Sequence, residues 1–571
     1  MTRRTTRSHP FSPLALSALA TTGVLVLTAC SGRIQTNQNQ PAPSGGSTAG
    51  TDALIDQLTM PAEVAENVGG LVNYNPFSPN ALTKVYFYEP LMIRNSLNCQ
   101  MTPWLATGYK WEGATKLTFT IRDGVKWSDG QPLTPEDVKF SLDLGKRFSA
   151  LDTAGIWNDT FGKRATDVTV VGSDVTITFS GNAAAKFDSI IGVKILPKHV
   201  WEKIDDPVKY IDKDPVGTGP FTVGSYNGRK LVLERRADYW QADKVKVQKL
   251  VLEGNYDATQ AALKLNAGGL DAYWGEIPNP QVAFVDKNPT LNHFWYAPAG
   301  TTVLTPNLTK APFKDVKFRE AYSQGLNKDE ISTKATYGVM KPASQTGLKL
   351  PYAENLMPEE FAKKNTVLPF DTAKAEQLLD AAGYKVGTNG MRTNPDGSPL
   401  QIKFTVQAGW IDYESTVEVI VRNLQAMHLD AKTVKSAPDN VDAQKKSADF
   451  DMVLEYLHGG CEVARNIGSK LASDQIPTKT KVQSNVQRWN DPATDATIAQ
   501  LSGSTDPAEQ KKLVGALVDT MMTQYPVTSL IYAPARMIYR TDKAVGWPSA
   551  EDPYATNSDM LLIMTHLKSA K

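Results

Sequence analysis

Residues 117–142, LTFTIRDGVKWSDGQPLTPEDVKFSL, decide how this chain is read. Leu117, Phe119 and Ile121 alternate with Thr118, Thr120 and Arg122, the period-two pattern of a half-buried strand. Asp123-Gly124 and Asp129-Gly130 supply two turns. Thr134 then offers an N-cap hydroxyl, Pro135 takes the first helical position, and Asp137 stands where a capping-box acid would. The stretch predicts strand, turn and capped helix, one unit of an α/β protein.

The same grammar extends in both directions. Residues 168–179, VTVVGSDVTITF, predict a hairpin turning at Gly172-Ser173-Asp174, and Asn227-Gly228 marks a second. Residues 249–274 read strand, helix, strand, ending at Leu270-Asp271-Ala272-Tyr273-Trp274. Asp315 and Asp371 are predicted N-caps, with Gly383 as a C-terminal stop. Phe404 and Val406 lie on a strand that ends at Ala408-Gly409-Trp410, followed by a helix through Leu424. This alternation argues for α/β lobes. A chain of 571 residues exceeds what one core organises, so two or three domains are expected.

Composition narrows the function classes. Charged residues are 21% and apolar residues 41%, the ordinary globular range. Lys plus Arg number 61 against 60 acids; losing Arg3, Arg4 and Arg7 with a leader leaves 58 against 60, a net charge near −2. Nothing there points to nucleic acid, which needs a basic face. No GxSxG elbow, HExxH pair or Walker-type loop is present. Gly217-Thr218-Gly219-Pro220 could pass for a phosphate loop, but Pro220 removes an amide where such loops need donors. The six histidines are scattered, and no cysteine pair has zinc spacing. No catalytic residue, metal or cofactor is expected.

The N-terminus carries a sorting signal. Arg3, Arg4, Arg7 and His9 precede an apolar run from Leu14 to Leu27, too short for a comfortable membrane span. Leu27-Thr28-Ala29-Cys30 resembles a bacterial lipobox, which implies a signal peptide over 1–29 and a lipid on Cys30. Acyl chains contribute roughly 0.8 kcal/mol per buried CH2, enough for several to hold a globular body at a membrane. Residues 30–53 then form a polar, flexible tether. With Cys30 lipidated, Cys99 and Cys461 remain; an oxidising compartment permits them to pair, and sequence leaves their separation open.

Several landmarks stand in a fixed order over roughly residues 68–548. They include Val72 to Phe77, Tyr88-Glu89-Pro90-Leu91, Trp104-Leu105-Ala106, residues 117–142, Leu196 to Val200, Val216 to Phe221 and Pro306 to Phe313. Together they resemble the extracytoplasmic solute-binding proteins of ABC importers, family 5, which carry oligopeptides, dipeptides, nickel and some oligosaccharides. The resemblance implies the type II periplasmic-binding fold in its large three-domain version. Domain I would comprise 54–78, 215–297 and 535–571; domain II, an insertion, 79–214; and domain III, the second lobe, 298–534. The ligand would sit between domains I and III, which close about a hinge. A monomer is expected, delivering its guest to ABC permease subunits and held at the periplasmic or cell-surface side by Cys30.

Candidate ligand-binding residues follow. Trp274 and Trp410 each end a predicted strand, and α/β clefts open at the carboxyl ends of strands. Tyr74 lies in the first strand-loop region. Peptide-binding members carry a Trp and an Asp in the loop after the strand matching Phe450 to Leu454. Here that stretch is Glu455 to Glu462, with neither residue, and a buried ammonium without a counterion is costly. Glu462 is a candidate substitute, while His458, Gly459 and Gly460 are candidates to line the cleft. Pro306 to Lys310, Tyr337-Gly338 with Pro342 to Leu348, and Asn485 to Trp489 instead resemble the branch that binds cello- and manno-oligosaccharides. Oligopeptide and oligosaccharide therefore both stand as expected ligands. A secreted hydrolase of the same polymers and a non-transport sensory lipoprotein are the rival classes. Trp127, Asn307 and Arg319 are expected to be architectural.

Overall fold

In a computed structural model, which describes residues 52–62, 73–78, 82–254, 256–364 and 366–571, the opening stretch folds as its pattern dictates. Strand Lys116–Ile121 pairs antiparallel with Ala106–Glu112 and with Asp174–Phe179, which pairs in turn with Ala165–Val171. Leu117, Phe119 and Ile121 point into one core with Trp104, Val138 and Leu142. Helix Pro135–Arg147 follows. The Thr134 amide donates to the Asp137 carboxylate at 2.8 Å, the acid half of a capping box. The other Asp137 oxygen accepts the Lys198 amide at 2.9 Å, so the cap also anchors the Leu196 to Val200 landmark.

Several landmarks prove to be tight packing. Trp127 is fully buried in the core, as expected of an architectural residue. The Arg236 guanidinium donates to the carbonyls of Lys126, Trp127, Gly217 and Gly219 at 2.9–3.1 Å, tying the signature to the Gly217-Thr218-Gly219 segment. A Cβ on Gly217 would stand 2.0 Å from the Phe87 carbonyl oxygen, and one on Gly219 2.2 Å from that of Tyr86. These glycines let two backbones touch; they do not cradle a phosphate. Glu89 is fully buried and accepts from Trp104 Nε1 at 2.6 Å, Tyr239 Oη at 2.7 Å and Trp240 Nε1 at 3.2 Å. Burial raises its pKa, and the three donors partly offset that.

Two further sheets complete the frame. One has Ile55–Pro61 parallel to Val247–Glu253, continued antiparallel by Lys230–Arg235 and Phe221–Tyr226. The other has six strands in the order Ala272–Tyr273, Thr528–Arg540, Asn292–Pro306, Met452–His458, Gln401–Gln407 and Asp430–Ser436. Its two long members, Asn292–Pro306 and Thr528–Arg540, run antiparallel for most of their length.

Those long strands join two separate sets of cores. Met537 and Tyr539 pack with Ile55, Phe87, Phe221 and Leu250, beside the signature core. Leu304, Leu530 and Ile531 pack instead with Phe318, Phe404, Val417 and Leu454. The chain therefore builds two lobes on one ribbon of two strands. Between the halves the ladder shifts register, at Pro298 and Gly300, and Pro298 faces Pro534 across it.

The helix caps match expectation. The Asp315 carboxylate accepts the Lys317 amide and that of Asp371 accepts Lys374, while Gly383 follows the second helix at φ +92°. Asn307 donates to the carbonyls of Ala448 and Phe450, and Arg319 is buried among the carbonyls of Phe313, Lys314 and Gln524. One expectation needs correction. The strand taken to end at Leu454 continues to His458, because Glu455, Tyr456, Leu457 and His458 pair with Val303, Thr302, Thr301 and Gly300. Only Gly459 and beyond form the loop. Cys30, the signal peptide over 1–29 and the tether as far as residue 51 lie outside the described residues. Among the described residues no helix is long and apolar enough to cross a membrane.

Candidate functional site

A cavity of about 250 Å3 opens where the two lobes meet on one face of the ribbon. The strand alternation sets that face. Tyr296 and its cross-strand partner Arg536 line the cavity, whereas Ala297 and its partner Ala535, one residue on, face the opposite side beside Leu97. One wall is Glu276, Ile277 and Pro280, from the segment that follows strand Ala272–Tyr273. The other wall comes from the second lobe: Tyr337 after helix Lys328–Thr336, Asp412, Tyr413 and Thr416 at the start of helix Ile411–Ala426, and Tyr456. Tyr532 and Pro534 close the floor.

Flat aromatic surface and a few polar groups dominate the lining. The Arg536 guanidinium pairs with the Glu276 carboxylate at 3.2 Å. Burial pushes the Tyr296 hydroxyl up to about 12, the neighbouring Arg536 partly opposing it, so the phenol stays protonated and able to donate. The Tyr413 hydroxyl is likewise raised by burial and by Glu455. Asp412 is exposed at the helix start. Such a site can stack a flat or ring-shaped guest on phenols and satisfy neutral or oppositely charged polar groups at its edges.

The sequence-derived candidates fall at different distances from this cavity. Trp410 is half exposed and packs edge-on against Tyr413, ring centroids 5.2 Å apart, as an extension of the aromatic wall. His458 makes a similar edge contact with Tyr456 at 4.8 Å. His458, Gly459 and Gly460 also line a neighbouring cavity of about 10 Å3 together with Lys349, room for about one water molecule. Gly459 is required there, since its Cβ would stand 2.5 Å from the Ala299 carbonyl oxygen. Trp274 is half-buried against the core of the first lobe, and the segment just after it, not the indole, forms the cavity wall. Tyr74 is not brought to the cavity: it is 1% exposed and packs edge-on with Phe87, 5.0 Å away. Glu462, the candidate counterion, is paired with Arg465 at 2.8 Å.

Sequence reading missed Glu276, Tyr296, Tyr413, Tyr456 and Arg536. Tyr413 had a signal, three residues after Trp410 at helical spacing. Tyr296 and Arg536 had none, because only cross-strand register brings them together. Cys99 and Cys461, left open by the sequence, form a disulfide with Cα atoms 5.4 Å apart. Among the described residues no group of three or more His, Cys, Asp or Glu side chains is arranged to hold a metal.

The chain belongs to the bacterial extracellular solute-binding proteins, family 5, whose model matches residues 100–467. Its fold is the type II periplasmic-binding fold. It is 24% identical over 475 residues to the nickel-binding periplasmic protein of Escherichia coli, covering 81% of this chain and 86% of that one. The periplasmic oligopeptide-binding protein of an ABC transporter from Thermotoga maritima superposes with a TM-score of 0.74 at 22% identity, covering 90% and 99% of the two chains. The same T. maritima protein with mannohexaose bound gives a TM-score of 0.64 at the same identity and coverage.

Proposed function

We propose that this protein is the substrate-binding component of an ABC import system. It captures a short oligomeric solute, peptide or oligosaccharide, and hands it to membrane permease subunits. The observation that carries this reading is the cavity of about 250 Å3 whose walls come from both lobes and whose floor is the strand ribbon that joins them. The similarity to an oligopeptide-binding protein also crystallised with mannohexaose supports either guest class. A lipid on Cys30 would keep the protein at the extracytoplasmic face, as a monomer.

The proposed domains are 54–78, 215–297 and 535–571 for domain I, 79–214 for domain II and 298–534 for domain III. Ligand-contacting residues are proposed to be Trp410, Tyr413, Tyr456, Tyr296 and Arg536, with His458 at the rim. A guest touching both walls binds the closed arrangement better than the open one and shifts the hinge equilibrium toward closure. Moving that equilibrium from 1:99 to 99:1 takes roughly 5.5 kcal/mol of differential affinity. Thermal-shift screening against parallel panels of short peptides and oligosaccharides tests the reading, because a ligand that binds only the folded state raises the melting point. Scattering with each hit should show compaction. A guest that binds and leaves the radius unchanged, or is cleaved by the protein, would sink it.

A further inference from the structure

Charge is scarce in the cavity between the lobes. Among the described residues that line it, Arg536 is the one cation, and Glu276 and Asp412 are the acids. Arg536 lies on the ribbon opposite Tyr296, and its Nη2 donates to the Glu276 carboxylate at 3.2 Å. Glu276 comes from the segment after strand Ala272–Tyr273, in the same lobe, so the pair does not depend on the second lobe for its partner. The wall that holds the cation is therefore neutral, and Asp412 leaves the lining as a whole with one negative charge in excess.

A guest carboxylate would enter beside two acids with no free cation to meet it, and a carboxylate that loses water next to like charge is costly. A guest ammonium gains little in return, because Asp412 is exposed and an ion pair in water contributes little. The remaining polar surface is uncharged, supplied by the Tyr296, Tyr413 and Tyr456 side chains. Arg536 has five N–H donors, and the one hydrogen bond its side chain makes among the described residues is to Glu276, so it can still donate to a neutral oxygen.

Size adds a second constraint. At about 250 Å3 the cavity falls short of the roughly 300–1,000 Å3 that encloses a drug-sized ligand. An oligomer therefore enters by one end, and the half-exposed Trp410 ring beside Tyr413 meets the part that stays outside. Either end of a peptide carries a charge. Either end of an oligosaccharide is neutral, and its ring faces suit the phenols.

We infer that Glu276 is a specificity-determining residue: by holding Arg536 it makes the cavity a receptor for the uncharged end of an oligosaccharide and shuts out acidic guests. The inference rests on the reading above that this cavity is where the guest binds.

Titration calorimetry tests it with mannohexaose and cellohexaose, the matched hexamers of mannuronic and glucuronic acid, and trialanine. Each uronic acid ring carries a carboxylate where the neutral sugar has a hydroxymethyl group. The native protein should bind a neutral hexaose and bind its uronate about tenfold or more weaker. The Glu276 side chain is 56% exposed, so Glu276→Gln removes the charge without disturbing a core. That variant should keep the neutral affinity and bind the uronate about tenfold or more tighter than the native protein does, and E276Q/R536M should lose the gain. Equal native affinity for neutral and acidic hexamers, or an E276Q protein with no gain for the acidic one, would overturn the inference. Binding of trialanine with neither hexaose bound would overturn it too, while leaving the import reading standing. Binding of none of the probes would remove both.

Discussion

Pro298 and Pro534 face one another across the two long strands that join the lobes, at the point where the register shifts and Ala299 is left over. Neither residue has an amide proton, so the ladder lacks two donors at this register shift. The spare Ala299 carbonyl accepts the Gly459 amide at 3.2 Å instead. The ladder is thus interrupted between the parts of the ribbon that pack into the two lobes' main cores, which is where a hinge should be.

Replacing both prolines with alanine should therefore stiffen the joint. Hydrogen exchange of peptides covering residues 295–302 and 530–537 should slow, and ligand-induced compaction should shrink. Faster exchange with unchanged compaction would argue against this position as the pivot.

Trp410→Ala removes the half-exposed ring that packs edge-on against Tyr413 and extends the cavity's aromatic wall. Losing one aromatic contact of this kind costs about 0.5–1.5 kcal/mol beyond area burial, so affinity for any guest found by thermal shift should fall several-fold or more. Tyr74→Phe, altered only inside the core, should leave affinity intact. Titration calorimetry on the two variants separates them.

Asp212 gives the fold a pH dependence. It is buried, accepts the Tyr88 hydroxyl at 2.5 Å, and burial raises its pKa to about 6. The folded state therefore holds the proton more tightly than the unfolded chain. Its contribution is full below the ordinary carboxylate pKa and is lost as pH rises through about 6. Between those values stability should drop by on the order of 3 kcal/mol, a slope that Asp212→Asn should flatten. Urea unfolding over a pH series reads this directly, and an equal slope in both proteins would refute it.

Lys328 is 3% exposed at the start of helix Lys328–Thr336, its ammonium has no hydrogen-bond partner among the described residues, and burial lowers its pKa to about 7. Its penalty is full below that pH and fades as pH rises toward the ordinary lysine value. Lys328→Met should raise the melting temperature at pH 6 and change it little at pH 10. A lower melting temperature at both would mean that the ammonium has a compensating role.

Local order was legible along much of the described chain. The alternation of Leu117, Phe119 and Ile121, the Thr134–Asp137 cap, the hairpin turns, and the helix starts at Asp315 and Asp371 all reflect preferences acting over a few residues. The same is true of Gly217 and Gly219, whose need for space the sequence marks and the Phe87 and Tyr86 carbonyls explain. Strand length was less legible, since Glu455 to His458 are held by pairing with a strand some 150 residues earlier.

The chain by itself determined its α/β elements, its family and the helix start that carries Trp410, because those follow from periodicity, capping and ordered landmarks. Tertiary structure alone decided that Tyr74 lies in a core, that Tyr296 and Arg536 share a cavity, and that Cys99 reaches Cys461. Each of these depends on register or on packing between segments hundreds of residues apart, and no local preference encodes such a distance.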